Sequence, residues 1–368
     1  MSFYIPLSYN SINSEALAQV LHKFEGRHHQ EIIASLEANL AHQLKVNHVV
    51  AVNSGTAAIH LALQAIGVQP HNYVLAPTFT YVATVNPVLY LQARPVLIDC
   101  EDKTWNLDPN LLETALRDLK SKGIRPSCLI VVHTYGTPAL LDDILTLASK
   151  YEVPVVEDAA EALGATLNKK PVGTYGRVGV YSFNNNKAVT SFGGGAVVTN
   201  DGLLASRVRF LAAQARKNAP FYLHEEPGFN YSINPLAAAY LLSQLTDLKN
   251  ITDARRTVFQ NYCNGLKNAG LIFQEEREGA FSARWLSTFL TKSEVVKSRL
   301  EESLQKAGIE TRPLWNPMHE QPLYRDAISF QNGNARQFFN TGICLPSGNT
   351  LSQESQSKVI EVVSRVLM

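Results

Sequence analysis

Cysteine is scarce in this chain. Cys100, Cys128, Cys263 and Cys344 are the four among 368 residues, and none stands in CxxC spacing or beside a histidine cluster. That excludes a disulfide-stapled scaffold and a thiolate metal module, and it fits reduced structural thiols in a cytoplasmic protein. Charge of one sign is also lacking: 33 Lys and Arg face 32 Asp and Glu, so the formal net charge is +1. No long-range field favours nucleic acid or an anionic membrane. No apolar run reaches the ~20 residues of a membrane span, and the opening MSFYIPLSYN has no basic segment with an apolar core behind it. Repeats, low-complexity tracts and long linkers are absent. The paired His28 and His29 would point to different helix faces with no third ligand near, so no metal is expected.

What the chain has is 45% apolar and 18% charged residues, an ordinary globular composition, and length for about two domains. Apolar spacing predicts a largely helical segment over 14–44, broken near Gly26 and Arg27. From residue 49 onward, β-rich runs alternate with helical patterns: VVAV then 57–66, YVLAP then a helix, PVLID, a helix over 111–119, CLIVV, a helix over 144–150, and VPVVED. Such alternation predicts an α/β fold with a mostly parallel sheet covered on both faces, and ligands gathering beyond the carboxyl ends of its strands. Residues 1–245 read as a large domain and 246–368 as a smaller α+β domain. In the latter, 284–291 alternates like a strand and Ser293 looks like the cap of the next helix.

Three stretches carry chemistry. The turn Ser54-Gly55-Thr56 stands between a strand and a helix, where backbone N–H groups receive a phosphate; equally, Ser54 or Thr56 simply caps the helix. Asp158 ends an apolar strand; it reads as a strand stop, or as a buried carboxylate in need of a cation. Lys187 sits in YSFNNNKAVTSFGGGAVV, between an aromatic and hydroxyl segment and a triple glycine. Alone it is a solvated loop charge or an amine held for a Schiff base. Together, Asp158 for a protonated pyridine nitrogen, Lys187 for an aldehyde and the SGT turn for a phosphate suggest pyridoxal phosphate.

The blocks NSGTAAIHLAL, PTFTYVATVN, VVEDAAEALGA, YSFNNNKAVTSFGGGAVVTN and GFNYSINPLAAA occur in the order and spacing of the DegT–StrS sugar aminotransferases, which this chain resembles over almost its whole length. The resemblance implies a fold-type-I aminotransferase, with a mostly parallel seven-stranded sheet between helices in the large domain. It implies that Lys187 bonds the cofactor and moves the proton, that Asp158 pairs with the ring nitrogen, and that Glu161 approaches the ring or its 3′-hydroxyl. Tyr81 is implied to stack on the ring, Gly55, Thr56 and Ser182, with Ser54, to hold the phosphate, and Asn230 to reach the neighbouring subunit's cofactor in a homodimer with shared sites. The cofactor alternates between pyridoxal 5′-phosphate and its pyridoxamine form. A lysine at position 187, where the family's dehydratases carry histidine, favours transamination.

SFNNNK with its GGG tail, and RPLWNPMHEQPLY over 312–324, look most like enzymes of the bacillosamine, legionaminic acid and perosamine type. These imply L-glutamate as donor and C4 of a UDP-linked 2-acetamido-4-keto sugar as acceptor, for surface polysaccharide or glycan synthesis. dTDP- or GDP-linked acceptors, C3 amination, and a non-catalytic sensor that binds pyridoxal phosphate are the alternatives. Arg312, Trp315 and His319 are candidate substrate contacts, or belong to an ordinary domain interface. The segment 22–30, Ser232 after GFNY and Asn316 in place of a usual lysine depart from the family pattern.

Overall fold

The computed structural model describes residues 4–8, 14–26 and 28–367; Arg27, at the expected break in the first helical segment, lies outside them. Its centre is an eight-stranded sheet in the order His48–Val52, Gly195–Thr199, Val178–Ser182, Val155–Asp158, Cys128–Val132, Tyr73–Pro77, Arg94–Ile98 and Ile328–Phe330. Only Gly195–Thr199 runs against its neighbours; the remaining pairs are parallel.

Both faces are covered, as parallel sheets require. Alternate residues of one strand feed different cores: Leu129 and Val131 pack on one face, Cys128 and Ile130 on the other. The helix Gly55–Ile66 shows how punctuation sets these units. Ser54 Oγ accepts the Ala57 N–H at 3.0 Å, and Gly67, at φ 102°, ends the helix in the left-handed region. No helix of the described residues is long and apolar enough to cross a membrane.

A second sheet, entirely antiparallel, has the order Ile272–Phe273, Ser287–Leu290, Gly342–Leu345, Arg312–Pro313. Val258, Tyr262, Phe289, Leu300, Leu304 and Val359 form its core. The chain beyond residue 245 is not confined to this unit. Ile328–Phe330 pairs with Val96–Ile98 as the eighth strand of the large sheet, and Met318 and Tyr324 pack into the large core. Apolar side chains in the 312–330 stretch thus tie it back across the large sheet's mouth. The strand expected over 284–291 is shorter, Ser287–Leu290. Arg284 turns into the left-handed region at φ 45°, and the Trp285 N–H is spent on the Tyr135 carbonyl at 3.0 Å.

Candidate active site

Asp158 is the last residue of the Val155–Asp158 strand, in the middle of the parallel region. It is 4% exposed. Its Oδ2 accepts from Thr84 Oγ1 at 2.8 Å and its Oδ1 from the Ala160 N–H at 3.1 Å. Burial pushes the carboxyl up from its ordinary range, opposed by those bonds and by the nearby Lys187. One turn on, Glu161 is buried too. Its Oε2 accepts the Tyr135 N–H at 2.8 Å, and its Oε1 lies 3.6 Å from Lys187 Nζ. Burial raises this carboxyl as well, with Lys187 pulling it back.

Lys187 follows the Val178–Ser182 strand in a turn closed by its own N–H on the Asn184 carbonyl at 2.9 Å. Its Nζ stands 4.0 Å from the ring centre of Trp285, whose Nε1–H donates to the Asn186 carbonyl at 2.8 Å. Burial lowers the lysine from its ordinary value, while Glu161 and Asp158 hold it up. Nearby, His133 Nδ1 accepts the Ala139 N–H at 3.1 Å and its Nε2 lies 3.1 Å from Glu157 Oε2. Two buried carboxylates, Asp158 and Glu161, thus face the one amine of Lys187.

Comparison with known proteins agrees with this geometry. Residues 10–364 match the model of the DegT/DnrJ/EryC1/StrS aminotransferase family. EpsN of Bacillus subtilis (strain 168) is 42% identical over 337 residues, 90% of this chain and 87% of that one. A GDP-perosamine synthase of Caulobacter vibrioides is 35% identical over 346 residues, 91% and 90% of the two chains. The crystal structure of a family aminotransferase from Brucella abortus superposes with a TM-score of 0.89 at 27% identity, covering 95% of each chain. The chain belongs to this family. It is a pyridoxal phosphate-dependent aminotransferase within a family of sugar aminotransferases.

The residues present fit the family's cofactor. Asp158 and Glu161 are two buried carboxylates facing one amine, so a protonated pyridine nitrogen would find a counter-charge at Asp158. A phosphate would find a cradle where the helix start and Ser182 abut: a Cβ added to Gly55 would lie 2.8 Å from Ser182 Cβ and 3.0 Å from its Oγ. With Ser54 Oγ on Ala57, the first-turn N–H groups of Gly55 and Thr56 have no acceptor within the helix.

The other expected residues divide. Tyr81 is half exposed, its ring 5.4 Å from that of Trp315; Trp315 in turn stacks on Tyr135 at 5.6 Å and lies 6.4 Å from Trp285. Trp315 thus joins the aromatic wall beside Lys187. His319 is tied to the strand-end loop, its Nδ1 2.7 Å from Thr78 Oγ1 and its N–H donating to the same oxygen. Arg312 is not brought to the cluster: its guanidinium is exposed and pairs with Glu310 at 2.7 Å. Asn230 rests its carbonyl on Asn53 Nδ2 at 3.2 Å and is itself exposed. Asn316 leaves its buried Oδ1 without a hydrogen-bond partner among the described residues, and Ser232 Oγ donates to the Ala212 carbonyl at 3.4 Å.

Sequence reasoning missed Thr84, Tyr135 and Trp285. Thr84 had a signal, a hydroxyl four residues past Thr80 in a strand-end loop. Tyr135 and Trp285 had none, since their roles depend on two distant segments meeting.

Proposed function

We propose that this aminotransferase moves an amino group from L-glutamate to C4 of a nucleotide-linked 4-keto-6-deoxy sugar. A UDP-linked 2-acetamido sugar is the first choice of acceptor, and a GDP-linked one, as for the perosamine synthases, is the second. The observation that carries the reading is the buried group formed by Lys187, Glu161 and Asp158 at the mouth of the sheet. Bound pyridoxal phosphate supplies an aldehyde for the amino group and a protonated ring that spreads the electron pair left by a departing C–H proton. Asp158 holds the ring's proton. Lys187 Nζ, kept low by burial, takes the proton from the donor carbon and later delivers one to the acceptor carbon. Glu161 Oε1 is placed to steady the ammonium between those transfers.

The reading includes a homodimer, with Asn230 reaching the partner's phosphate site; its exposed position supports this. Residues 312–319 would meet the nucleotide sugar, and the aromatic wall through Trp315 supports that placement. The test has two steps. Glutamate added to the loaded protein should shift its absorbance; no shift would favour the sensor. The 4-amino sugars linked to UDP, dTDP and GDP are then screened with 2-oxoglutarate in the reverse direction. Turnover of a 3-amino sugar and none of the 4-amino sugars would overturn the C4 assignment.

A further inference from the structure

Tyr135 is fully buried and holds φ 55°, ψ 20°, a left-handed conformation uncommon for a bulky residue. Its surroundings over-determine that shape. Asn106 Oδ1 accepts the Thr134 N–H at 2.9 Å, and Gln274 Nε2 donates to the Thr134 carbonyl at 3.1 Å. His133 Nδ1 takes the Ala139 N–H at 3.1 Å. Gly136 follows at φ 90°, where a Cβ would lie 2.9 Å from the Glu161 carbonyl and 3.0 Å from the Trp285 nitrogen.

The strained turn aims each polar group of Tyr135 at a different part of the site. Its N–H donates to Glu161 Oε2 at 2.8 Å. Its carbonyl accepts the Trp285 N–H at 3.0 Å. Its hydroxyl accepts the Trp315 N–H at 3.2 Å, and its ring lies nearly parallel to those of Trp285 and Trp315, with centroids at 6.3 and 5.6 Å. Fixing one oxygen of Glu161 leaves the other for Lys187. We propose that Tyr135 is a positioning residue that couples the Glu161 carboxylate to the loop bearing Trp315, so that engagement of that loop and the setting of Glu161 against Lys187 depend on each other. Such coupling is reciprocal: loosening either end must loosen the other. Its consequence for the acceptor rests on the proposed reading that the Trp315 loop meets the nucleotide sugar.

Amide hydrogen exchange on the cofactor-loaded enzyme tests the coupling without turnover. Tyr135→Phe keeps the ring and the backbone bond to Glu161 but removes the acceptor for Trp315; the Trp315 amide should exchange about fivefold faster, the equivalent of one ordinary hydrogen bond. Glu161→Ala touches neither Trp315 nor the hydroxyl, yet it should speed exchange at the Trp315 amide as well as at Tyr135. An unchanged Trp315 amide in Glu161→Ala overturns the proposal, and this arm stands even if Tyr135→Phe fails to fold. In kinetics, Tyr135→Phe should raise the acceptor KM severalfold and, through the loosened Glu161, slow the glutamate half-reaction by a smaller factor. An unchanged acceptor KM would mark Tyr135 as a mere packing residue. Because the exchange arm needs no substrate, it remains decisive if the acceptor proves not to be a sugar nucleotide.

Discussion

The Nζ of Lys187 stands 3.6 Å from Oε1 of Glu161, with both side chains largely buried. Glu161 is the foremost group holding the lysine's proton on, against the burial that drives it off. Glu161→Gln keeps the shape and removes the charge, so the lysine should lose its proton at lower pH. Labelling of cofactor-free protein with an amine reagent across pH, read by peptide mass spectrometry, should show the Lys187 midpoint fall. An unmoved midpoint would mean that the two groups titrate independently.

Lys187→Ala tests the lysine itself. It should remove both the covalent attachment of the cofactor, read by absorbance, and the proton transfers, which alone are worth ~10²–10⁴-fold. Cofactor still held through the Asp158 and Gly55–Ser182 ends is expected to be washed out more readily. Retained turnover would sink the assignment.

Periodicity made the parallel sheet and its helices legible, because strands buried on both faces and helices with caps each leave a local mark. The Pro109–Ser121 and Leu141–Lys150 helices stand where apolar spacing placed them, each a few residues longer. Asp158 was readable because a charge at the end of an apolar run is itself a signal, and Lys187 because a lone lysine ahead of a triple glycine is another. The eighth strand, Ile328–Phe330, left none: three residues gain their partner, Val96–Ile98, from over two hundred positions away. Arg312 shows the opposite limit. A charged residue in a promising block says nothing of direction, and here Glu310, two residues back, holds the guanidinium.

Gly55 has no room for a methyl group. Gly55→Ala would force its Cβ against Ser182, an overpacking that costs about 1–3 kcal/mol, and would spread the phosphate cradle. Thermal melts should show the loss, and cofactor affinity should drop about tenfold or more, equivalent to 1.4 kcal/mol. Ser182→Gly in the same chain removes the atoms struck. The double variant should therefore recover most of the melting temperature, but not the affinity, since the Ser182 hydroxyl is gone. Full recovery of both would remove Ser182 from the phosphate site.

Asp158 sets function against stability. Burial raises its folded-state pKa above the unfolded value, outweighing the hydrogen bonds from Thr84 and the Ala160 N–H, so between those two values the folded chain holds the extra proton. By linkage, the cofactor-free protein then loses stability as pH rises through that window, and a cation brought by the cofactor reverses the effect. Asp158→Asn removes the charge; its oxygen keeps the Ala160 N–H and its amide donates to Thr84 Oγ1, whose own proton turns to Thr80 Oγ1. Cofactor-free Asp158→Asn should therefore be more stable than cofactor-free wild type at neutral pH, by about 1 kcal/mol, and the gain should fade as pH falls toward 4. Loaded protein should show the reverse order, because the ring nitrogen loses the carboxylate that keeps it protonated. Paired melts with and without cofactor at pH 4 to 8 measure this. A wild type more stable than Asp158→Asn in both forms would mean that Thr84 and the Ala160 N–H satisfy the carboxylate by themselves, and that the site is not short of a cation.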